Sequence, residues 1–250
     1  MNYRKTKKDI YANLSKKSLQ ADSSKNNSHN KSNISDEKKS LSAKEYKVDS
    51  IMKRNWKPGN MLYPIPAVMV SCCDKDAGNT NILTVAWTGT VCSDPPMVFI
   101  SVRPERYSYD MIKNSGEFVI NLVTEKLVHA SDWCGVRSGK DFDKWRECNL
   151  SQYKSEFMQT PAIKESPVNI YCKVENIIPL GSHDMFLAKV VGITVNDEYF
   201  DENGGFHLNK TGLITYVHGE YYALGNKLGS FGYSVRKKEA GKRRRNGRDR

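Results

Sequence analysis

Long apolar runs, closely spaced cysteine pairs and metal-ligand clusters are all scarce in this chain of 250 residues. The apolar runs end after a few residues, whereas a transmembrane helix needs about 20. The six cysteines include no C-x-x-C pair, and no grouping of Cys and His has the spacing of a zinc site. We therefore expect no membrane span and no bound metal. Because no secretory signal is recognised, we also expect free thiols and a cytoplasmic protein.

Acidic residues are scarce at both ends of the chain, and this accounts for the net charge of +11. Residues 1–50 carry 12 Lys and Arg against 6 acids, and residues 236–250 carry 9 against 2. The segment between them has 18 basic residues and 20 acids, a charge of −2. A folded nucleic-acid-binding module normally concentrates positive charge on its folded face. The composition therefore argues against nucleic-acid binding by the central segment.

Composition also divides the chain into a folded domain, residues 51–235, and two tails. Residues 1–50 hold too few apolar side chains to offset the entropy of ordering, which predicts a disordered basic extension. An alternative for residues 1–20 is an organellar targeting peptide, although they are poor in Arg. Residues 236–250 form a second basic tail, predicted to be disordered, which either solubilises the protein or contacts nucleic acid.

Short β-branched segments bounded by turn residues predict a mainly β domain. The predicted strands are 66–73, 81–90, 96–102, 117–123, 167–179 and 183–195, and a turn at 181–184 joins the last two. Two short helices are expected, one capped by Ser108 and ending at Gly116, the other capped by Thr124 and ending at Gly135. Many short strands with few helices are typical of an antiparallel barrel.

A strand end followed by a helix start makes residues 101–108, SVRPERYS, a candidate phosphate site. Unpaired N–H groups in the first turn of a helix attract anions, and guanidinium groups match phosphate geometry. The segment supplies Ser101, Arg103, Arg106 and Ser108. The alternative is an ordinary helix cap with two solvated arginines. We favour the phosphate site because the neighbouring strand, residues 84–89, presents small side chains beside it.

That neighbouring strand presents small side chains. Alternation places Thr84, Ala86 and Thr88 on one face and Trp87 on the other, where we expect it to be core. A small-residue face lets the flat ring of a cofactor approach the backbone, whose N–H groups can then contact oxygen and nitrogen atoms of that ring. The alternative is a barrel strand whose small residues serve packing alone.

Three further features are candidates for chemistry. The loop SGKDFDK, residues 138–144, offers a hydroxyl and two lysines to an anion, the alternative being a solvated charged turn. His183 is the best catalytic candidate, because an imidazole could hydrogen-bond a bound substrate or stabilise negative charge on a reduced cofactor. Its alternative is a turn histidine beside Asp184. Cys134 is expected to be a buried thiol rather than a nucleophile.

The ordered set of motifs resembles the flavin reductase-like, flavoredoxin-type family of FMN-binding split-barrel proteins. From about Pro64 to Val235 the chain contains N-x-x-T-V-A-W-T-G, S-D-P-P-M-V, S-V-R-P-x-R-x-S, S-G-E-F-V-I-N, C-G-x-x-S-G-K-D-x-D-K, GSHDMFLAKV and YYALGNKLGSFGYSV. Each motif is weak alone, and the ordered set is specific. The resemblance implies a six-stranded antiparallel Greek-key split barrel with a few short helices. It also implies a homodimer with FMN near the subunit interface.

The resemblance further implies roles for individual residues. It places four of them beside the flavin ring and ribityl chain: Thr84, Ala86, Trp87 and Thr88. It places three near the phosphate: Ser101, Arg103 and Ser108. Four more would approach the cofactor from a covering loop: Ser138, Gly139, Lys140 and Lys144. The family often has a His at position 183, near the nicotinamide or the flavin edge.

We therefore expect an FMN-binding oxidoreductase that takes hydride from NADH or NADPH and reduces free flavin or a small acceptor, with FAD the less favoured cofactor. No G-x-G-x-x-G fingerprint is present, so nicotinamide would lie directly on the flavin face. One alternative is a flavoredoxin-like electron carrier that exchanges electrons with a redox protein and has no nicotinamide site. A third hypothesis, ranked last, is that the basic tails tether the domain to nucleic acid or to an acidic partner.

Overall fold

The computed structural model describes residues 51–236, so the predictions for residues 1–50 and for nearly all of the C-terminal tail lie outside the described residues. The compact unit that contains the strands begins at Pro58. Residues 51–57 form no helix or strand, and their side chains are exposed.

Seven antiparallel strands form the main sheet, in the order β2-β1-β5-β8-β9-β4-β3, and two small two-stranded ladders accompany it. The strands are β1 Val68–Cys73, β2 Thr80–Val85, β3 Thr88–Ser93, β4 Pro96–Val102, β5 Glu117–Leu122, β6 Gln152–Tyr153, β7 Ala162–Ile163, β8 Val168–Pro179, β9 Asp184–Val195, β10 Ile214–Val217 and β11 Glu220–Ala223. In the ladders β6 pairs with β7 and β10 with β11. The predicted mainly β class is confirmed.

The main sheet has seven strands rather than six because the predicted strand 81–90 is two strands. The chain turns at Ala86 and Trp87, where the Thr88 N–H donates to the Ala86 carbonyl at 3.1 Å. β2 pairs with β1, whereas β3 pairs with β4 at the other end of the strand order. The prediction of one continuous face was therefore wrong. Neither Gly nor Pro marks the break, so alternation alone did not reveal it.

Within residues 51–236, three α-helices accompany the sheet: α1 Tyr107–Ser115, α2 Val128–Val136 and α3 Lys144–Glu147. The predicted cap Ser108 lies inside α1, whose N-cap is Arg106, so that prediction was wrong. Gly116 ends α1 in the left-handed region at φ 66°, as predicted. Thr124 precedes a short 3₁₀ turn rather than α2 itself, and α2 continues one residue beyond Gly135. Neither Ser108 nor Thr124 makes a side-chain capping bond.

Two apolar clusters share β1 between them. Val70 packs with Ile100 and Phe118 in one cluster, whereas Met69 packs with Ile82 and Trp145 in the other. Neighbouring residues of β1 are thus buried on opposite faces, as the period of a strand requires. Burying each large side chain stabilises the fold by about 1.5–3 kcal/mol. β2 also contributes residues to both clusters, so both of its faces are held by packing.

No helix within residues 51–236 is both long enough and apolar enough to span a bilayer. The same residues contain no group of three or more His, Cys, Asp or Glu side chains placed to hold a metal ion. Cys134 is fully buried in α2, and burial raises the pKa of its thiol to about 12, which agrees with the expectation that it is not a nucleophile.

Candidate functional site

A cavity of about 570 Å³, here called cavity A, opens where β2 and β4 end. Its walls come from residues 83–87, from residues 101–103 and from the turn between β8 and β9. The predicted residues that line it are Thr84, Ala86, Trp87, Ser101, Arg103 and His183. The fold therefore brings together side chains that are up to 99 positions apart in the sequence.

The wall of cavity A follows from the turn at Ala86 and Trp87. The Ser101 N–H donates to the Trp87 carbonyl at 2.8 Å, which joins the end of β4 to this turn. Trp87 is half-buried and lies 6.5 Å from the Tyr63 ring, so the expectation of a core tryptophan was wrong. Its ring and the small side chain of Ala86 both line the partly open cavity A.

The two threonines of this segment have other partners. The Thr84 hydroxyl donates to the Ser131 carbonyl of α2, which ties β2 to that helix. The Thr88 hydroxyl donates to the Phe99 carbonyl at 2.7 Å, and Thr88 does not line cavity A. Thr84 can therefore contribute shape to a ligand site, whereas the structure places Thr88 outside the cavity.

A second cavity of about 480 Å³, cavity B, adjoins cavity A and shares Leu83, Arg103 and Arg106 with it. Ser108, buried at its wall, accepts a hydrogen bond of 2.8 Å from the Asn81 side chain. Asn81 was missed as a candidate, although an Asn inside a β-branched run was the available signal. Arg106 was considered with the phosphate segment but was not selected, and it lines both cavities.

Lys144 is a buried cation at the wall of cavity B. It is only 3% exposed, and its ammonium donates to the carbonyls of Ile82 and Cys134, both at 2.7 Å. Among residues 51–236, no carboxylate lies within 4.0 Å of it. Burial lowers its pKa below the usual value for Lys. Because buried charges normally have a partner of opposite sign, this position favours an anionic ligand.

The predicted loop lies between α2 and α3. Ser138 lines cavity B, Gly139 lies between cavity B and a third cavity, and Lys140 lines the third cavity alone. A Cβ atom on Gly139 would lie 2.2 Å from the Asn81 side-chain oxygen, so no larger residue fits without displacing Asn81. Asp143 caps α3 by accepting from the Trp145 N–H at 3.1 Å, which sets the start of the helix that carries Lys144.

His183 ends the turn before β9, the position that the sequence predicted, and it lines cavity A. Its Nδ1 lies 2.9 Å from the Ser182 hydroxyl. Burial, then the nearby Arg103, lowers the pKa of the imidazole, so the neutral form predominates at pH 7. The following residue, Asp184, accepts a hydrogen bond from the Tyr109 hydroxyl of α1. That bond fixes the start of β9 and was not foreseen from the sequence.

Relatives of the chain provide an independent comparison. A solved flavoredoxin of Desulfovibrio vulgaris (Miyazaki F) is 28% identical with a TM-score of 0.68, over 74% of this chain and 100% of that one. An FMN reductase (NADH), RutF, of Cronobacter turicensis is 23% identical over 132 residues, 53% of this chain and 76% of the relative.

An uncharacterized protein of Aeropyrum pernix is 28% identical over 140 residues, 56% of this chain. The match spans about half, 52%, of that relative's length. The model of the flavin reductase like domain matches residues 61–225. The split-barrel fold class expected from the sequence is confirmed, and the chain belongs to the flavin reductase-like family.

Proposed function

We propose that this protein is an FMN-dependent oxidoreductase with the flavin ring in cavity A and its phosphate in cavity B. The observation that carries this proposal is the pairing of a partly open cavity with an adjoining one whose wall holds a buried cation, Lys144, which has no carboxylate partner within residues 51–236. Both volumes lie within the roughly 300–1,000 Å³ of small-molecule sites. The relative from Cronobacter turicensis, named as an FMN reductase, supports FMN as the flavin.

The phosphate would be held by groups of different kinds. Arg103 and Arg106 border both cavities and can approach phosphate oxygens with planar guanidinium groups. Ser108 and the Asn81 side chain already form a hydrogen-bonded pair at the wall, so little side-chain entropy is lost when they meet a ligand. Lys144 supplies charge from a position screened from water.

When bound, the flavin supplies the hydride and electron chemistry. This chain contributes the position of the ring, its access and its electrostatics. His183 lines cavity A as a neutral imidazole, suited to orient a nicotinamide or to hydrogen-bond a ring edge that gains negative charge. The NADH in the name of the Cronobacter turicensis relative supports NADH as the electron donor.

A spectroscopic titration tests this function. Protein loaded with FMN should lose its visible flavin absorption when NADH or NADPH is added without oxygen. Arg103→Ala should weaken FMN binding by more than about tenfold, since a charge-assisted hydrogen bond contributes about 1.5–3 kcal/mol. Arg146→Ala is the control, because that side chain is exposed on α3 and pairs with Glu147. An FMN affinity unchanged by Arg103→Ala would rule out the phosphate assignment.

A second function is electron transfer without a nicotinamide site. The likeness to the solved flavoredoxin cited above favours this alternative. It requires the same flavin position but predicts that NADH and NADPH leave bound FMN oxidised. Bleaching by a reduced protein partner alone would replace the reductase proposal with this one.

A further inference from the structure

Two cysteines that flank the loop between α2 and α3 are in contact with each other. The Sγ atoms of Cys134 and Cys148 are 3.7 Å apart, although the residues are 14 positions apart in the chain. Cys134 is fully buried in α2, whereas Cys148 is partly exposed and is the C-cap residue of α3. Neither thiol lines cavity A or cavity B, so the proposed flavin site leaves this pair without a role.

The contact between the two thiols is close to what a disulfide requires. The sulfurs would have to approach to about 2.05 Å, a movement of less than about 2 Å from their present separation. Cys134 is enclosed in the apolar cluster that contains Met69 and Ile82. Cys148 ends a helix of only four residues, and the next residue, Asn149, leaves the helical conformation with a φ of 51°. We therefore expect Cys148 to make most of this movement.

A small oxidant can reach Cys148. This residue lines a separate cavity of about 590 Å³, here called the α2 cavity, which shares no lining residue with cavities A and B. Burial raises the pKa of both thiols, so each reacts slowly and neither is a catalytic nucleophile. Once Cys148 has been oxidised, its contact with Cys134 makes the next step intramolecular, and such proximity accelerates a reaction strongly.

Hydrogen peroxide is an oxidant of suitable size, and two balanced steps would lead to the disulfide. The Cys148 sulfur would attack one peroxide oxygen and break the O–O bond, which gives a sulfenic acid and one water. The Cys134 sulfur would then displace the hydroxyl group from the Cys148 sulfur, and its own proton would leave with that hydroxyl as a second water. The two thiols lose two electrons in total, and the peroxide accepts both.

The disulfide would close residues 134–148, the segment that carries the predicted loop of the flavin site. Ser138 and Gly139 lie within this segment and line cavity B, and Lys144 donates to the Cys134 carbonyl at 2.7 Å. A covalent bond across the base of the segment would restrict its opening, because a cross-link removes chain conformations. A loop that opens less often should release a bound phosphate more slowly.

We propose that Cys134 and Cys148 form a reversible disulfide on exposure to peroxide and that this disulfide slows the release of bound flavin. Its effect on flavin release rests on the proposed function, whereas its formation does not. In a reducing compartment both residues return to thiols once the oxidant is removed. The pair would therefore couple the redox state of the surroundings to retention of the cofactor.

Peptide mapping of the full-length protein after peroxide treatment tests the disulfide. Trypsin should release residues 127–137 and 147–154 as one linked peptide, which dithiothreitol separates. Cys148→Ser should abolish the linked peptide. Cys92→Ser is the matched control, because Cys92 is another partly exposed thiol, and this variant should keep the link. Absence of the linked peptide, or oxidation of Cys148 only to a sulfinic acid, would overturn the disulfide.

The rate of FMN release from the same samples tests the effect on the flavin site. FMN should dissociate from the oxidised protein about fivefold more slowly than from the reduced protein, and dithiothreitol should restore the faster rate. Cys148→Ser should release FMN at one rate with and without peroxide. An unchanged rate in protein that carries the disulfide would overturn the effect on flavin release. If the unsubstituted protein binds no FMN in either state, that effect and the proposed function both fail, and the linked peptide still decides whether the disulfide forms.

Discussion

At the scale of single residues, Lys144 connects structure and proposed chemistry. Its ammonium donates to the carbonyls of Ile82 in β2 and Cys134 in α2, and the side chain lines cavity B. A fully buried lysine without an anion is costly, since the interior solvates its charge poorly. The sequence identified Lys144 as a candidate through its loop motif, but it did not predict that the side chain is buried. Neither spacing nor composition shows which lysine of a charged loop turns inward.

Lys144→Met keeps most of the side-chain length and removes the charge. We expect FMN affinity to fall about tenfold to a hundredfold, because a hydrogen bond to a charged group contributes about 1.5–3 kcal/mol. Isothermal titration measures this loss, and thermal unfolding reports the effect of losing the two hydrogen bonds from Lys144 to these carbonyls. Arg146→Met, on the exposed side of α3, is the control. A drop in stability with unchanged FMN affinity would make Lys144 a purely structural tie.

His183 provides a prediction about pH. Burial and then Arg103 hold its pKa below the usual value, so the folded protein favours the neutral ring. The unfolded chain takes up the proton first as pH falls below about 6.5, and this residue therefore makes the fold less stable in that range. Nuclear magnetic resonance should show that the pKa of His183 lies below the ordinary value for histidine. Arg103→Gln should raise the pKa of His183. An unchanged midpoint would mean that Arg103 does not act on the imidazole.

At the scale of elements, the sequence predicted most strands and the end of α1, but not the break between β2 and β3. Strand alternation and β-branching are local, so they identify segments such as 167–179 and 183–195 well. The break at Ala86 and Trp87 depends on which neighbour each half pairs with, β1 or β4, and pairing is a property of the folded sheet. The same limit applies to Asn81, which becomes a site residue only when α1 brings Ser108 to it.

The loop between α2 and α3 contacts β2 through Gly139. Gly139→Ala would place a methyl group 2.2 Å from the Asn81 side-chain oxygen, so Asn81 must move and its bond to Ser108 must lengthen or break. We expect weaker FMN binding and a loss of about 1–3 kcal/mol in the free energy of unfolding, as for other overpacked positions.

Gly225→Ala is the matched control for that substitution, since an added methyl group there would meet no atom within 4 Å. Titration of both variants with FMN, together with chemical denaturation, separates binding from stability. If Gly139→Ala binds FMN as tightly as the unsubstituted protein, the contact between the loop and Asn81 does not shape cavity B.

At the scale of the whole molecule, the segment after β11 exposes several large apolar side chains. Leu228, Phe231 and Val235 are 94%, 105% and 83% exposed, and Leu224 and Tyr233 are 60% and 62% exposed. Exposed apolar surface of this kind commonly marks a protein–protein interface. We propose that it packs against a second copy of the chain and that the homodimer implied by the sequence resemblance forms through this segment.

Sedimentation velocity of the full-length protein should then show a dimer, and the double substitution Leu228→Glu with Phe231→Glu should shift it toward the monomer. Two carboxylates in an apolar interface cost several kcal/mol, because each must be desolvated without a partner. Lys227→Glu introduces a carboxylate into the same segment without removing an apolar side chain, so it should leave the dimer largely intact.

A doubly substituted chain that remains dimeric would place the interface elsewhere. If it becomes monomeric and also binds FMN less tightly, the second copy supports the flavin site, whereas a monomer with full FMN affinity would contradict a cofactor near the interface.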